Sequence, residues 1–203
     1  MQKETLTAAC KHLQSGKIIA YPTEAVWGLG CDPFNASAVR RILRLKQRPE
    51  SKGLILVAAA MEQIQVLLAP LEDEALEALT ETWPGPITWL IPDPRNIFPS
   101  WVKGEHGSVA IRVSDHPVVQ ALCQRFGRPI VSTSANRAGM PEIKTRAKLE
   151  AAFSGKSSKS GSKKSSKGSK RKVSDIDFIV PGRLGGQEQP SEIRDLISGK
   201  VLR

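Results

Sequence analysis

Apolar residues recur along this chain with two alternating periods. Leu6, Ala9, Cys10 and Leu13 fall on one helical face, and Gly16 stands where such a helix would stop. Lys17 to Tyr21 reads as a strand ended by Pro22. Val39, Ile42 and Leu43 mark a second helix, with Asn35 or Ser37 as its cap. Residues 53–59 form a short continuous apolar run, the signature of a buried strand. The spacing predicts helices over 61–68 and 72–82. Trp83-Pro84-Gly85-Pro86 then breaks the chain before a strand over 87–91. Strands are predicted over 109–113, 129–133 and 177–180, with a helix over 117–126. Pro190-Ser191-Glu192 reads as the start of a last short helix through Ser198, capped by Ser191. Val201-Leu202 is read as closing the sheet. Helices and strands alternate throughout, which argues for the α/β class.

A chain of 203 residues fits one domain spanning 1–203 with a substantial core. No N-terminal stretch reads as a signal peptide, and no run of apolar residues is long enough to span a membrane. Cys10, Cys31 and Cys123 lack metal-type spacing and read as reduced thiols of a cytoplasmic protein. The net charge of +10 invites a nucleic-acid reading until it is located. Eight cations and no acid lie in the Ser/Lys/Gly tract 154–174, and the rest of the chain is nearly balanced. That tract has almost nothing to bury, so it is expected to be a disordered insertion within the domain.

Two polar segments carry most of the candidate chemistry. Lys46-Gln47-Arg48-Pro49 is followed by Lys52-Gly53. Pro49 disfavours the helical conformation at Arg48, so the helix is expected to end near Leu45, with Lys46 and Arg48 extended and pointing the same way. Such cations either solvate a helix end or grip an anion. The second segment, Ser132-Thr133-Ser134-Ala135-Asn136, follows a buried strand, where open α/β sheets bind ligands. It reads either as a capped turn or as a row of hydroxyls and an amide facing a ligand.

Thr23 and Glu24 precede Gly28-Leu29-Gly30, which reads as a glycine-containing loop. Arg112 lies in an otherwise apolar strand and needs an anionic partner. Asp115, Glu24 or a substrate carboxylate would serve. His12, His106 and His116 have no ligand spacing, so no metal site is expected from them, and His116 reads as a helix cap.

Five motifs in order resemble the YrdC/TsaC family of threonylcarbamoyl-AMP synthases. They are Tyr21-Pro-Thr-Glu24 with Gly28-Leu-Gly30, Lys46-x-Arg48-Pro49, Ser108-Val-Ala-Ile-Arg112, Ser132-x-Ser134-x-Asn136 and Pro190-Ser-Glu-Ile-Arg194. The resemblance implies an open twisted mixed sheet with flanking helices around a large electropositive cavity. It also implies a nucleotidyltransferase reaction, in which L-threonine, bicarbonate and ATP give threonylcarbamoyl-AMP and pyrophosphate. A separate transferase complex then modifies tRNA beside the anticodon.

By that resemblance Lys46 and Arg48 are catalytic, and Arg48, Lys52, Ser108, Ser134, Asn136 and Arg203 bind ATP. Thr23, Arg112, Ser132 and Thr133 would hold threonine, with Ser191 and Arg194 in the cavity wall. Mg²⁺ would be held mainly by phosphates. Ala25 stands where many members carry Thr, as in the short bacterial form, which this chain is expected to be. The tract 154–174 lies outside the family pattern. It leaves open a rival reading as an RNA-binding or ribosome-assembly module that uses the cavity and the tract.

Overall fold

The computed structural model describes residues 2–153 and 175–203. The tract 154–174, read above as a disordered insertion, lies outside the described residues.

The first helix, α1 (Lys3–Gln14), buries Ala9, Cys10 and Leu13, the apolar stripe read from the sequence. It leads into β1 (Ile19–Pro22) and, through a tight turn, β2 (Trp27–Gly30). Helix α2 (Ala36–Lys46) is capped by Asn35, whose side chain accepts from the Ala38 N–H. Strand β3 (Ile55–Ala58) follows a single 3₁₀ turn at Glu50–Lys52. The helix predicted over 61–68 is a 3₁₀ turn, Met61–Ile64, running into the short α3 (Gln65–Leu68).

Then come α4 (Asp73–Thr82), β4 (Ile87–Pro92), the short α5 (Ser100–Lys103), β5 (Ser108–Val113), α6 (Pro117–Phe126) and β6 (Ile130–Ser134). His116 caps α6 by accepting from the Val118 N–H. Helix α7 (Arg146–Phe153) and strands β7 (Phe178–Ile179) and β8 (Glu192–Asp195) complete the fold.

Among the described residues, eight strands form one mixed sheet in the order β7-β1-β2-β6-β3-β5-β4-β8. Alternation along the strands splits the core in two. Ile19 and Tyr21 of β1 and Val57 of β3 pack with the apolar faces of α1 and α6. Ala20, Leu29, Leu56 and Ile111 pack with Val39 and Ile42 of α2 and Leu79 of α4 on the other side. The three thiols are free and buried.

Three local expectations need correction. First, Gly28 and Gly30 lie inside a strand rather than a loop. A Cβ at Gly30 would stand 2.7 Å from the Tyr21 ring and 2.8 Å from the Val131 carbonyl oxygen. Glycine is there because neighbours come too close, which a sequence reads as a turn.

Second, the segment from Ser191 is strand β8, not a helix. The exposed edge of β4 offers a ladder, pairing Ile87 with Glu192 and Leu90 with Asp195. A run this short gains too little from helical bonds to compete. Val201, expected to close the sheet, makes an antiparallel bridge to Arg194.

Third, Lys46 is helical, and Gln47 takes a left-handed conformation with φ 46°. The N–H groups of Gln47 and Arg48 bond back to Arg44 and Leu43, closing the helix end. Lys46 and Arg48 therefore share no extended segment.

Candidate active site

The sheet and its loops enclose a cavity of about 470 Å³. It is within the range of small-molecule sites. Of the residues singled out in the sequence, Thr23, Lys46, Arg48, Lys52, Ser108 and Arg112 line it, as do Ser132, Thr133, Ser134, Ser191 and Arg203. Residues from both polar segments thus meet across one space, despite the altered backbone at Lys46.

Lys46 spans from the end of α2 to the end of β6. Its ammonium donates to the Ser134 carbonyl (2.8 Å) and hydroxyl (3.2 Å), and to the Asn136 carbonyl and side-chain oxygen (2.8 Å each). Ser134 Oγ donates in turn to Asn136 Oδ1 at 2.6 Å. Burial, and then the nearby Arg48 charge, lower the Lys46 pKa to about 8 against a smaller opposing pull from Glu142. Asn136 is not itself on the cavity wall. It stands behind Lys46 and Ser134 and donates from Nδ2 to the Met140 carbonyl.

Arg48 reaches back over the turn before β3. Its Nε donates to the Gly53 carbonyl (2.9 Å) and its Nη2 to the Lys52 carbonyl (3.0 Å). Burial, followed by Arg203, lowers its pKa. That turn is locked onto α5 by two glycines at positive φ. A Cβ on Gly53 would lie 2.6 Å from the Lys103 carbonyl oxygen, and one on Gly104 2.2 Å from that of Ser51. Lys103 also borders the cavity, but its ammonium is engaged by Asp93 (3.1 Å) and Asn96 (2.8 Å).

Arg112 finds its anion within the fold. Of the alternatives open in the sequence, Glu24 is the partner: Nη1 and Nη2 donate to its two oxygens at 2.6 and 2.9 Å. Ser114 Oγ adds a third bond to Glu24 at 2.6 Å. Burial works to raise the Glu24 pKa, yet the bonds and charge of Arg112, with Ser114, hold it down to about 2. Thr23 is buried beside this pair, and its hydroxyl donates to the Val26 carbonyl across the β1–β2 turn.

The chain after β7 is tied to the same turn, with Gly185 N–H donating to the Thr23 carbonyl and Gln187 N–H to that of Glu24. At the other side of the sheet, Ser191 shares a hydrogen bond with Thr88. The final residues fold back along β8. Arg203 donates to the Ser191 carbonyl at 3.1 Å and lies on the cavity wall.

Arg194, expected in the wall, is not among the cavity residues. Its guanidinium turns to Glu192 and lies over the Trp89 ring, because β8 is a strand and places it there. Sequence reasoning did not single out Glu142, Gln187 or Gln189, which line the cavity from irregular segments. No motif spacing marks them. Ser114, two residues beyond Arg112, could have been found as a second donor to a buried carboxylate.

Fold and site together define a mixed α/β protein whose cavity brings cations and a row of hydroxyls to one space. Residues 11–160 match the Sua5/YciO/YrdC family model, described as "Telomere recombination", and the chain belongs to that family. It is 47% identical over 198 residues to a threonylcarbamoyl-AMP synthase of Marinobacter nauticus, covering 98% of this chain and 94% of that one. It is 49% identical over 195 residues to a Pseudomonas aeruginosa protein of the same name, covering 96% and 94%.

Among solved structures, P. abyssi Sua5 complexed with L-threonine superposes with a TM-score of 0.83 at 28% identity. The match covers 100% of this chain and 54% of that one, so the chain spans about half of the P. abyssi protein. E. coli YciO, with a TM-score of 0.78 and 20% identity, shares the fold.

Proposed function

We infer that the protein makes L-threonylcarbamoyladenylate from L-threonine, bicarbonate and ATP, with release of pyrophosphate. One observation carries this reading. Lys46, Arg48, Lys52 and Arg203 face the same cavity as Arg112 and the hydroxyls of Ser132, Thr133 and Ser134, in a chain nearly half identical to named synthases. Among the described residues, none of those four cations forms an ion pair with a carboxylate.

The chemistry brings one anion against another. The threonine amine and bicarbonate condense to a carbamate with loss of water. A carbamate oxygen then bonds to the α-phosphorus, the bond to the bridging oxygen breaks, and pyrophosphate leaves. The protein's task is charge neutralisation and alignment. Lys46, Arg48 and Lys52 hold phosphate oxygens, with Ser108, Ser134 and Arg203 completing the ATP contacts. Asn136 acts by fixing Lys46. Arg112, Thr23, Ser132 and Thr133 hold threonine, and Ser191 closes the wall.

Mg²⁺ would be held mainly by the phosphates and would neutralise part of their charge. The donor set fits that arrangement. Glu24 spends its oxygens on Arg112 and Ser114. Among the described residues, no group of three His, Cys, Asp or Glu could hold a metal.

A cytoplasmic setting suits a product destined for tRNA through a transferase complex. Among the described residues no helix is long and apolar enough to cross a membrane. The test is pyrophosphate release by the purified chain with Mg²⁺. Release that requires both threonine and bicarbonate is expected, and none, or release indifferent to threonine, overturns the reading.

A further inference from the structure

The cations of the cavity differ in what meets their charge, and that of Lys103 is held by Asp93. Lys46, Arg48 and Arg203 act on one another: Arg48 depresses Lys46, and Arg203 depresses Arg48. They come from the end of α2 and from the last residue of the chain. Arg112, on β5, is different in kind. Its charge is met at 2.6 and 2.9 Å by Glu24, and both side chains are at least nine-tenths buried.

The pairing has a chemical consequence. A guanidinium carries five N–H donors, and Glu24 takes one from each terminal nitrogen. Donors remain for a carboxylate, but the net charge of the pair is zero. Ser114 Oγ donates to Glu24 Oε1, the oxygen that also accepts from Arg112 Nη1, so the carboxylate cannot swing away without losing a third bond. A bare arginine in a cavity that also admits a triphosphate would bind phosphate at least as readily as an amino-acid carboxylate, because its fork matches both. The ionised Glu24 meets a phosphate dianion with repulsion, whereas a monocarboxylate that also carries an amino group is repelled far less. Specificity of this sort rests on an element that penalises the wrong ligand.

We propose that Glu24 is the specificity-determining residue that reserves Arg112 for the amino acid by cancelling its charge and excluding phosphate. The assignment rests on the reading that Arg112 holds the threonine carboxylate. It adds that the cavity sorts its two anions by where compensation is present and where it is absent. Glu24 stays ionised throughout the working pH range, since its pKa is near 2.

Calorimetric titration of L-threonine into the full chain, with and without inorganic phosphate, tests this. In the wild type, phosphate is expected to leave threonine affinity within about twofold of its phosphate-free value, because phosphate goes to the other cations. In Glu24→Gln, which keeps the shape and one acceptor, phosphate is expected to weaken threonine binding at least ~10-fold. Ser114→Ala loosens Glu24 but removes no charge, so it keeps the wild-type indifference to phosphate.

Displacement of threonine by phosphate in the wild type overturns the proposal whatever the variants do, including a Glu24→Gln that fails to fold. A folded Glu24→Gln indifferent to phosphate overturns it too. So does a Ser114→Ala as sensitive as Glu24→Gln, since the effect would then be one of shape. The pyrophosphate assay reports separately on the synthase reading. A chain that binds threonine in this way but releases no pyrophosphate keeps this assignment and loses that one.

Discussion

Lys46 joins two tasks in one side chain. Its ammonium pins Ser134 and Asn136, and its charge sits on the cavity wall. Lys46→Ala therefore removes a cation and frees the end of β6 that carries Ser134. Turnover is expected to fall at least ~100-fold, as it is for Arg48→Ala, from the loss of a preorganised charge contact. Steady-state rates near wild type in both variants would refute the site assignment.

The depressed pKa gives a second handle. Lys46 loses its proton above about pH 8, so kcat/KM for ATP should decline on the alkaline side of a pH profile. Glu24 titrates with the opposite consequence. Its folded pKa, about 2, lies below the ordinary carboxyl value of 4.5. The stabilisation is complete above 4.5 and is lost as pH falls from there toward 2. Glu24→Ala leaves Arg112 buried without its anion, and chemical denaturation should show a loss of about 3–5 kcal/mol.

At the scale of elements, the turn between α2 and β3 is held by contacts that tolerate no added atom. Gly53 combines φ 58° with a Lys103 carbonyl oxygen 2.6 Å from any Cβ. Gly53→Ala should cost roughly 1–3 kcal/mol in backbone strain alone and displace Lys52. Thermal melting reads the first effect, and a raised KM for ATP with an unchanged KM for threonine reads the second.

Much of this level was legible in the sequence. The apolar stripes of α1, α2 and α6, the Asn35 and His116 caps and the buried run at β3 depend on neighbours within one turn or one strand. β2 and β8 were not legible. Glycines that admit the Tyr21 ring look like turn residues, and a capped tetrapeptide looks helical until the open edge of β4 claims it.

For the whole molecule, the instructive feature is Arg137. It donates to the Ala152 carbonyl on one side of the tract 154–174 and to Asp175, at 2.5 Å, on the other. The two described flanks thus meet at one guanidinium, one residue beyond Asn136. Replacing 154–174 with a short Gly/Ser linker should keep pyrophosphate release within about threefold, because Arg137 already holds the two described flanks together. Release lost with the tract would show that it serves the chemistry. RNA affinity lost without loss of release would assign it to RNA contact.

The order of motifs along the chain determined the family and which residue types the chemistry needs. Cations and hydroxyls were readable because each motif is local and its spacing survives any fold. Which charges are free to act was decided only by tertiary structure. Arg112 finds Glu24 across 88 positions, Lys46 reaches Asn136 across 90, and Arg194 turns away to Trp89. Compensation of a charge depends on what stands within a few ångströms in space, and the linear sequence does not carry that distance.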